Sequence, residues 1–158
     1  MILTNPDLIE RPALLAPLAT RMVALLEEQV NEADPRRSVA FQLSRCLCQD
    51  PVMRLHVLAS DADIYPAMVY GFSLAQLCQE GGSRWVFVQG TYVDPGVNAG
   101  DEVRQILHDL DQWAQAAGAS KIMMATTRSA AAWARKYGFN EARKVMHRDV
   151  PAKDVSAA

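Results

Sequence analysis

Leu15, Leu18, Met22, Leu25, Leu26 and Val30 recur at helical spacing, which predicts a helix across this stretch. Pro12 and Pro17 are tolerated near its start, where a proline removes no needed donor. Asp34-Pro35 breaks the stripe. A second helix is expected from Ser38 to about Gln49, with Ser38 as its N-cap and Val39, Leu43 and Leu47 on one side. Ahead of both, Met1–Asn5 reads as a short edge strand. The period then changes. Met53, Leu55, Val57 and Ala59 alternate with Arg54, His56 and Leu58, the signature of a strand.

Asp61-Ala62-Asp63 is turn chemistry, and Ala67 to about Cys78 is a second strand with Gly71 as a bulge. Gln79-Glu80-Gly81-Gly82 turns the chain into a third strand, Trp85–Val93, so the three form an antiparallel meander. Asp94-Pro95-Gly96 ends it. The clearest helix follows: Val103, Ile106, Leu107, Leu110, Trp113, Ala114 and Ala117 share one face, and Gly118 stops it. Lys121–Ala125 is short and apolar, as a strand covered on both faces should be. A strand–helix–strand crossover of this length makes it parallel to Trp85–Val93. A short helix, Ser129–Lys136, a last strand, Lys144–Val150, and a frayed tail from Pro151 complete the expectation. The pattern predicts one α/β domain over residues 1–150 and a flexible tail over 151–158, with a mixed sheet and helices on both faces.

Composition narrows the classes. The chain has 158 residues, half of them hydrophobic, enough for one core of ordinary domain size. Charged residues are 22% and the net charge is −2, with basic residues scattered, so neither disorder nor nucleic-acid binding is expected. Cys46, Cys48 and Cys78 have no framework spacing, and His56, His108 and His147 fall in different elements. Reduced thiols, no disulfide and no metal site are the expectation. No amino-terminal run combines basic residues with an apolar core, and no apolar stretch approaches ~18 residues. That predicts a soluble, cytoplasmic protein without a membrane partner.

Two segments carry a resemblance. Val93-Asp94-Pro95, a loop, and Ile106-Leu107-x-x-Leu110-x-x-Trp113-Ala114-x-x-Ala117-Gly118-Ala119 form a strand–loop–helix unit. Thr127-x-x-Ala130-x-x-x-Ala134-x-x-Tyr137-Gly138-Phe139 is the second. Both resemble segments of the GNAT (GCN5-related N-acetyltransferase) superfamily, the second its N-x-x-A-x-x-x-Y-E-K-x-G-F segment, which it keeps at Ala130, Lys136, Gly138 and Phe139. In topology the resemblance covers essentially the whole chain, in motif only about residues 85–140. It implies acetyl-CoA or CoA as ligand, with contacts at Tyr92, Val93, Asn98, Ala99, Gly100, Val103 and Thr127.

The family's loop, Q/R-x-x-G-x-G/A, holds the CoA pyrophosphate on backbone N–H groups at a helix N-terminus. Unpaired amides and the helix dipole attract an anion there, and glycines let phosphate oxygens approach. Counted from Pro95, the basic or amide position falls on Asn98, the first glycine on Asp101 and the last small residue on Val103. A register that uses Gly100 puts Val97 first and Glu102 last. Neither register restores the pattern. Asp101 and Glu102 also bring negative charge. Two unit charges ~5 Å apart at an effective dielectric near 20 repel by about 3 kcal/mol. The plainer role for Asp101 is in the cap or first turn of the helix, where an acid is stabilising.

Transfer chemistry is thin as well. Attack of an amine on a thioester wants a base, and an acid for the leaving thiolate. The family's tyrosine acid falls on Ala134, and Tyr137 sits where a packed residue is usual. Between Arg84 and Val93 no carboxylate can serve as base, and Gln89 cannot accept a proton at neutral pH. A water relayed by Asp94 or Glu80 is the remaining route, and His108 lies on the solvent side of its helix. No catalytic residue is assigned. The resemblance therefore implies a degenerate member, a pseudoenzyme with weak or absent CoA binding that works through a protein partner or self-association. Degenerate members of this kind occur as accessory or virion proteins of bacteriophages. An active N-acetyltransferase acting on a primary amine, and a module binding an acyl ligand in the same gap, are the alternatives.

Overall fold

Asp34, not Ser38, caps the second long helix, its carboxylate accepting the Arg37 N–H at 3.1 Å, in a computed structural model of the chain. The structure describes residues 1–29, 33–61, 68–125 and 130–141. Two compact units, residues 1–127 and 128–158, are taken in turn. The first begins with β1 (Ile2–Leu3) and a helix that the periodicity missed, α1 (Asn5–Glu10). Thr4 and Asp7 start α1, the Thr4 N–H donating to the Asp7 carboxylate at 2.7 Å. A 3-10 turn, Pro12–Leu14, leads into α2 (Leu15–Gln29), and α3 (Pro35–Leu47) follows with Pro35 at its first position, where φ is already helical. Then come β2 (Met53–Ala59), β3 (Val69–Glu80), β4 (Ser83–Val93), α4 (Gly100–Ala116) and β5 (Ile122–Met124).

The strands lie in the order β1-β2-β3-β4-β5, antiparallel except for the parallel β4–β5 pair. The mixed sheet, the meander and the crossover are those the pattern predicts. β3 starts and ends two residues later than expected, and β4 starts two earlier, because the hairpin turn is only Gly81-Gly82. Leu58 pairs with Gly71 and Ala59 with Val69, so the bulge leaves out Tyr70, one residue before the expected Gly71. Gly71 is needed for another reason: a Cβ there would run into the carbonyl oxygen of Tyr92.

Two cores flank the sheet. On one face Leu8, Leu18, Met22, Val39 and Leu43 pack against Leu55, Val57, Phe72 and Leu74. On the other, Ile106, Leu110 and Ala114 of α4 pack against Leu58, Ala75, Val86 and Val88. Cys46 is buried, and burial pushes its thiol up to about 11; Cys48 is exposed. Among the described residues, no group of three His, Cys, Asp or Glu could hold a metal, and no helix is long and apolar enough to cross a membrane.

In the second unit, α5 (Ala130–Tyr137) runs one residue further than expected and ends on Gly138 at φ +72°. The expected strand Lys144–Val150 and the tail 151–158 lie outside the described residues.

Candidate functional site

The two halves of β4 differ. Val86, Phe87 and Val88 pair in parallel with Ile122, Met123 and Met124. Beyond them the register against β3 slips, Gly90 facing Leu74 and Val88 facing Ala75, so Gln89 is an extra residue. From Gln89 to Val93 the strand has no second neighbour among the described residues. The chain then crosses residues 94–99 and enters α4 at Gly100. A backbone edge without a partner among the described residues thus leads to a helix N-terminus, and Ala99 there has no side-chain oxygen to cap the first-turn amides.

The residues expected at this site are not equivalent. Tyr92 packs toward the α2–α3 core with its ring stacked on Phe72 at 6.2 Å, whereas Val93 packs on the α4 side. Ala99 is buried, and Asn98 is exposed beside the half-buried Gly100. Val103 is buried with the core face of α4, so its side chain holds the helix down, and its N–H donates to the Ala99 carbonyl at 2.9 Å. Thr127 lies outside the described residues. Asp101 sits in the first turn with its side chain 97% exposed, and Arg104 donates to it at 2.8 Å. Arg104 thus trims the charge that the sequence places here, leaving Glu102 as the acid of that turn without a described ion pair.

Acid–base candidates do not converge on the opening. Gln89 is tied into an amide chain, accepting from Gln42 of α3 at 3.1 Å and donating to Gln76 of β3 at 2.5 Å. Asp94, at the end of β4, is clamped by Arg21 through two bonds of 2.9 and 2.7 Å. That guanidinium holds the Asp94 carboxyl below its usual range, which makes it a poor base. Glu80 pairs with Ser83 at the hairpin tip, the opposite end of β4. His108 is exposed and hydrogen-bonded to Gln112. In the second unit Ala134 is exposed, and Tyr137 packs on Trp133, ring centres 5.1 Å apart, with Phe139 meeting the same indole edge-on.

No protein-family model matches the chain, and no curated protein matches it by sequence. Solved structures match it by shape. The predicted acetyltransferase of Clostridium acetobutylicum, solved with acetyl-CoA, superposes with a TM-score of 0.64 at 12% identity over 94% of this chain and 96% of its own. Glucosamine-6-phosphate N-acetyltransferase from Arabidopsis thaliana gives 0.64 at 8% over 96% and 99%. AAC(6')-Iy, in complex with a CoA-linked bisubstrate analogue, gives 0.59 at 15% over 87% and 92%. The chain has the GNAT acetyltransferase fold.

Within that fold the structure assembles one cluster that sequence reasoning missed. Arg54 and His56, on the α4 face of β2, both reach Asp109 of α4. Arg54 donates at 2.9 and 2.8 Å, and the His56 Nε2 lies 2.7 Å from the carboxylate. Arg54 also lies over the Trp113 ring at 5.8 Å. Burial lowers the His56 pKa against the opposing pull of Asp109. Burial alone would raise Asp109, but the bonds from His56 and Arg54 bring it below its usual range. A neutral ring facing an ionised carboxylate must carry its proton on Nε2. Nδ1 is then a buried acceptor without a described partner. The cluster fastens α4 to β2. Its one signal in the sequence was Asp109 beside the apolar stripe at Ile106, Leu110 and Trp113, and the strand that receives it is over fifty residues away.

Proposed function

We propose that this chain is a GNAT-fold pseudoenzyme: a protein that keeps the architecture of an acyl-CoA cleft, lacks transfer chemistry, and acts through protein–protein contacts. The observation that carries the reading is the state of two candidate groups along the β4 edge, among the described residues. Gln89 has its amide locked between Gln42 and Gln76, and Asp94 is held ionised by Arg21. Gln89 cannot take a proton from an attacking amine, and Asp94 is a poor base for one. CoA binding is weak or absent, because the loop has no basic residue at Asn98 and Val103 is committed to the core. A cytoplasmic or virion-associated role, in a bacteriophage setting, belongs to the same reading.

Calorimetry with acetyl-CoA, paired with a thiol-release assay over a panel of primary amines, tests it. The expected outcome is no binding tighter than roughly high micromolar and no turnover. Sub-micromolar binding with thiol release overturns it. That result would support a second reading, an active N-acetyltransferase acting on a primary amine. Two observations favour this alternative: the β4 edge, which has no second neighbour among the described residues, beside the first-turn amides of α4, and the pairing of Asp101 with Arg104. Rebuilding the loop as Asn98→Arg with Asp101→Gly, with Val103 left in the core, should raise CoA affinity about tenfold if the cleft is otherwise intact.

A further inference from the structure

An apolar groove of about 700 Å³ runs along the outer side of the α2–α3 hairpin, on the surface facing away from the sheet. Val23 and Val39 line it, with Ala16, Thr20, Ala24 and Ala40 at its exposed sides. Among the described residues that line it, Glu27 and Arg36 are the charged ones. They stand at the same end of the groove, since α2 finishes at Gln29 and α3 starts at Pro35. Neither has an ion-pair partner among the described residues. Phe41 of α3, next in sequence to the lining residue Ala40, is 64% exposed, the most exposed of the large hydrophobic side chains described. A groove, an exposed aromatic on one of its two helices, and one lining charge of each sign at one end form a surface that can be complementary to itself.

We propose that the α2–α3 face binds a second copy of this chain, forming an antiparallel four-helix arrangement across a two-fold axis parallel to the helices. Charge selects this axis. Rotation about it keeps the two hairpin ends level and lays α2 of one copy over α3 of the other, so Glu27 meets Arg36 twice. An in-plane axis perpendicular to the helices would put the hairpin ends at opposite ends and leave both charges without a partner. The chosen arrangement also opposes the dipoles of the facing helices and lets Phe41 of each copy enter the small-residue side of the other groove. Acids and bases depleted from the groove's centre and kept at its end match the anatomy of protein interfaces. The proposal names the partner for the contact role given above.

Sedimentation equilibrium of the full chain at about 10–100 µM tests it, in the range where modest interfaces associate. The expected mass is twice the 17.4 kDa of the chain. Phe41→Asp and Ala24→Arg should each raise the dimer dissociation constant about tenfold or more. Glu27→Arg and Arg36→Glu should each weaken the dimer about tenfold, because each reversal acts at two symmetric places, and the double reversal should restore it. All four side chains are exposed, and circular dichroism checks that each variant is folded. A chain that stays monomeric at 100 µM, or that binds only a different protein, overturns the proposal. So does a dimer indifferent to Phe41→Asp and Ala24→Arg, or a double reversal weaker than either single one. The acetyl-CoA measurement separates the two readings. A monomer that binds no CoA sinks the dimer alone, and a dimer that binds CoA tightly and turns it over sinks the pseudoenzyme alone.

Discussion

Helix α4 carries two Asp–Arg pairs, and they do different work. In its body, Asp109 accepts from Arg54 and His56 on β2, next to Leu110, which is fully buried. In its first turn, Asp101 meets Arg104 of the same helix with almost its whole side chain in water. The first pair ties two elements far apart in sequence. The second only trims local charge, since an exposed i,i+3 pair is screened and costs side-chain entropy to hold. The body of α4 is thus an anchored core element, while its N-terminus keeps its amides and charges available. An anion site, retained or lost, belongs at the second place and not the first.

The largest effect that could break this contrast is in the body. Leu110→Ala should destabilise the fold by about 2–5 kcal/mol in urea titrations. A loss under about 0.5 kcal/mol would mean that α4 is not anchored on the sheet. Asp109→Ala should cost less, about 1–2 kcal/mol, because it leaves the His56 N–H and the Arg54 fork without their acceptor while solvent still reaches about a third of the Arg54 and Asp109 side chains. If Asp109→Ala is neutral, the cluster is incidental.

A smaller effect follows from pH. His56 has a folded pKa below its unfolded value, chiefly through burial, so the unfolded chain takes up the proton first. Stability from neutral His56 is complete above about pH 6.5 and declines as pH falls from there toward the folded pKa. Asp94 and Asp109 have lowered pKa values, so their contributions are present above the unfolded carboxylate range and are lost further into acid. The urea midpoint measured from pH 8 to pH 5 should fall in the parent and stay flatter in a folded His56→Gln variant; equal slopes would refute the assignment. Smallest of all, Asp101→Ala should leave the urea midpoint unchanged within experimental scatter. A clear loss there would make the first turn a structural element like the body.

Much of this contrast could be read along the chain. The stripe from Val103 to Ala117 predicts α4 and its buried face, and the alternation at Met53–Ala59 predicts β2, because burial on one side of a regular element leaves a period in the sequence. The site was less legible. Asp101 is expected in the cap or first turn of α4 and lies in the first turn, with Ala99 as the cap; its pairing with Arg104 goes beyond that expectation, although three-residue spacing is enough to suggest it. Val103 was matched to a phosphate-contact position by counting, while the same helical stripe already placed it in the core. The Gln42–Gln89–Gln76 chain and the Arg21–Asp94 clamp join α2, α3, β3 and β4, and no local pattern links residues 47 or 73 positions apart.

The sequence by itself determined the element types, the meander, the parallel crossover and the gaps in the acetyltransferase pattern, since these depend on side-chain period, turn chemistry and residue identity at counted positions. Tertiary structure alone decided which polar groups meet. Gln89 became an amide link between Gln42 and Gln76, Asp94 a carboxylate clamped by Arg21, and His56 a buried partner of Asp109. The cause is that a hydrogen bond depends on distances set by the packing of whole elements, which a few ångströms of register would abolish.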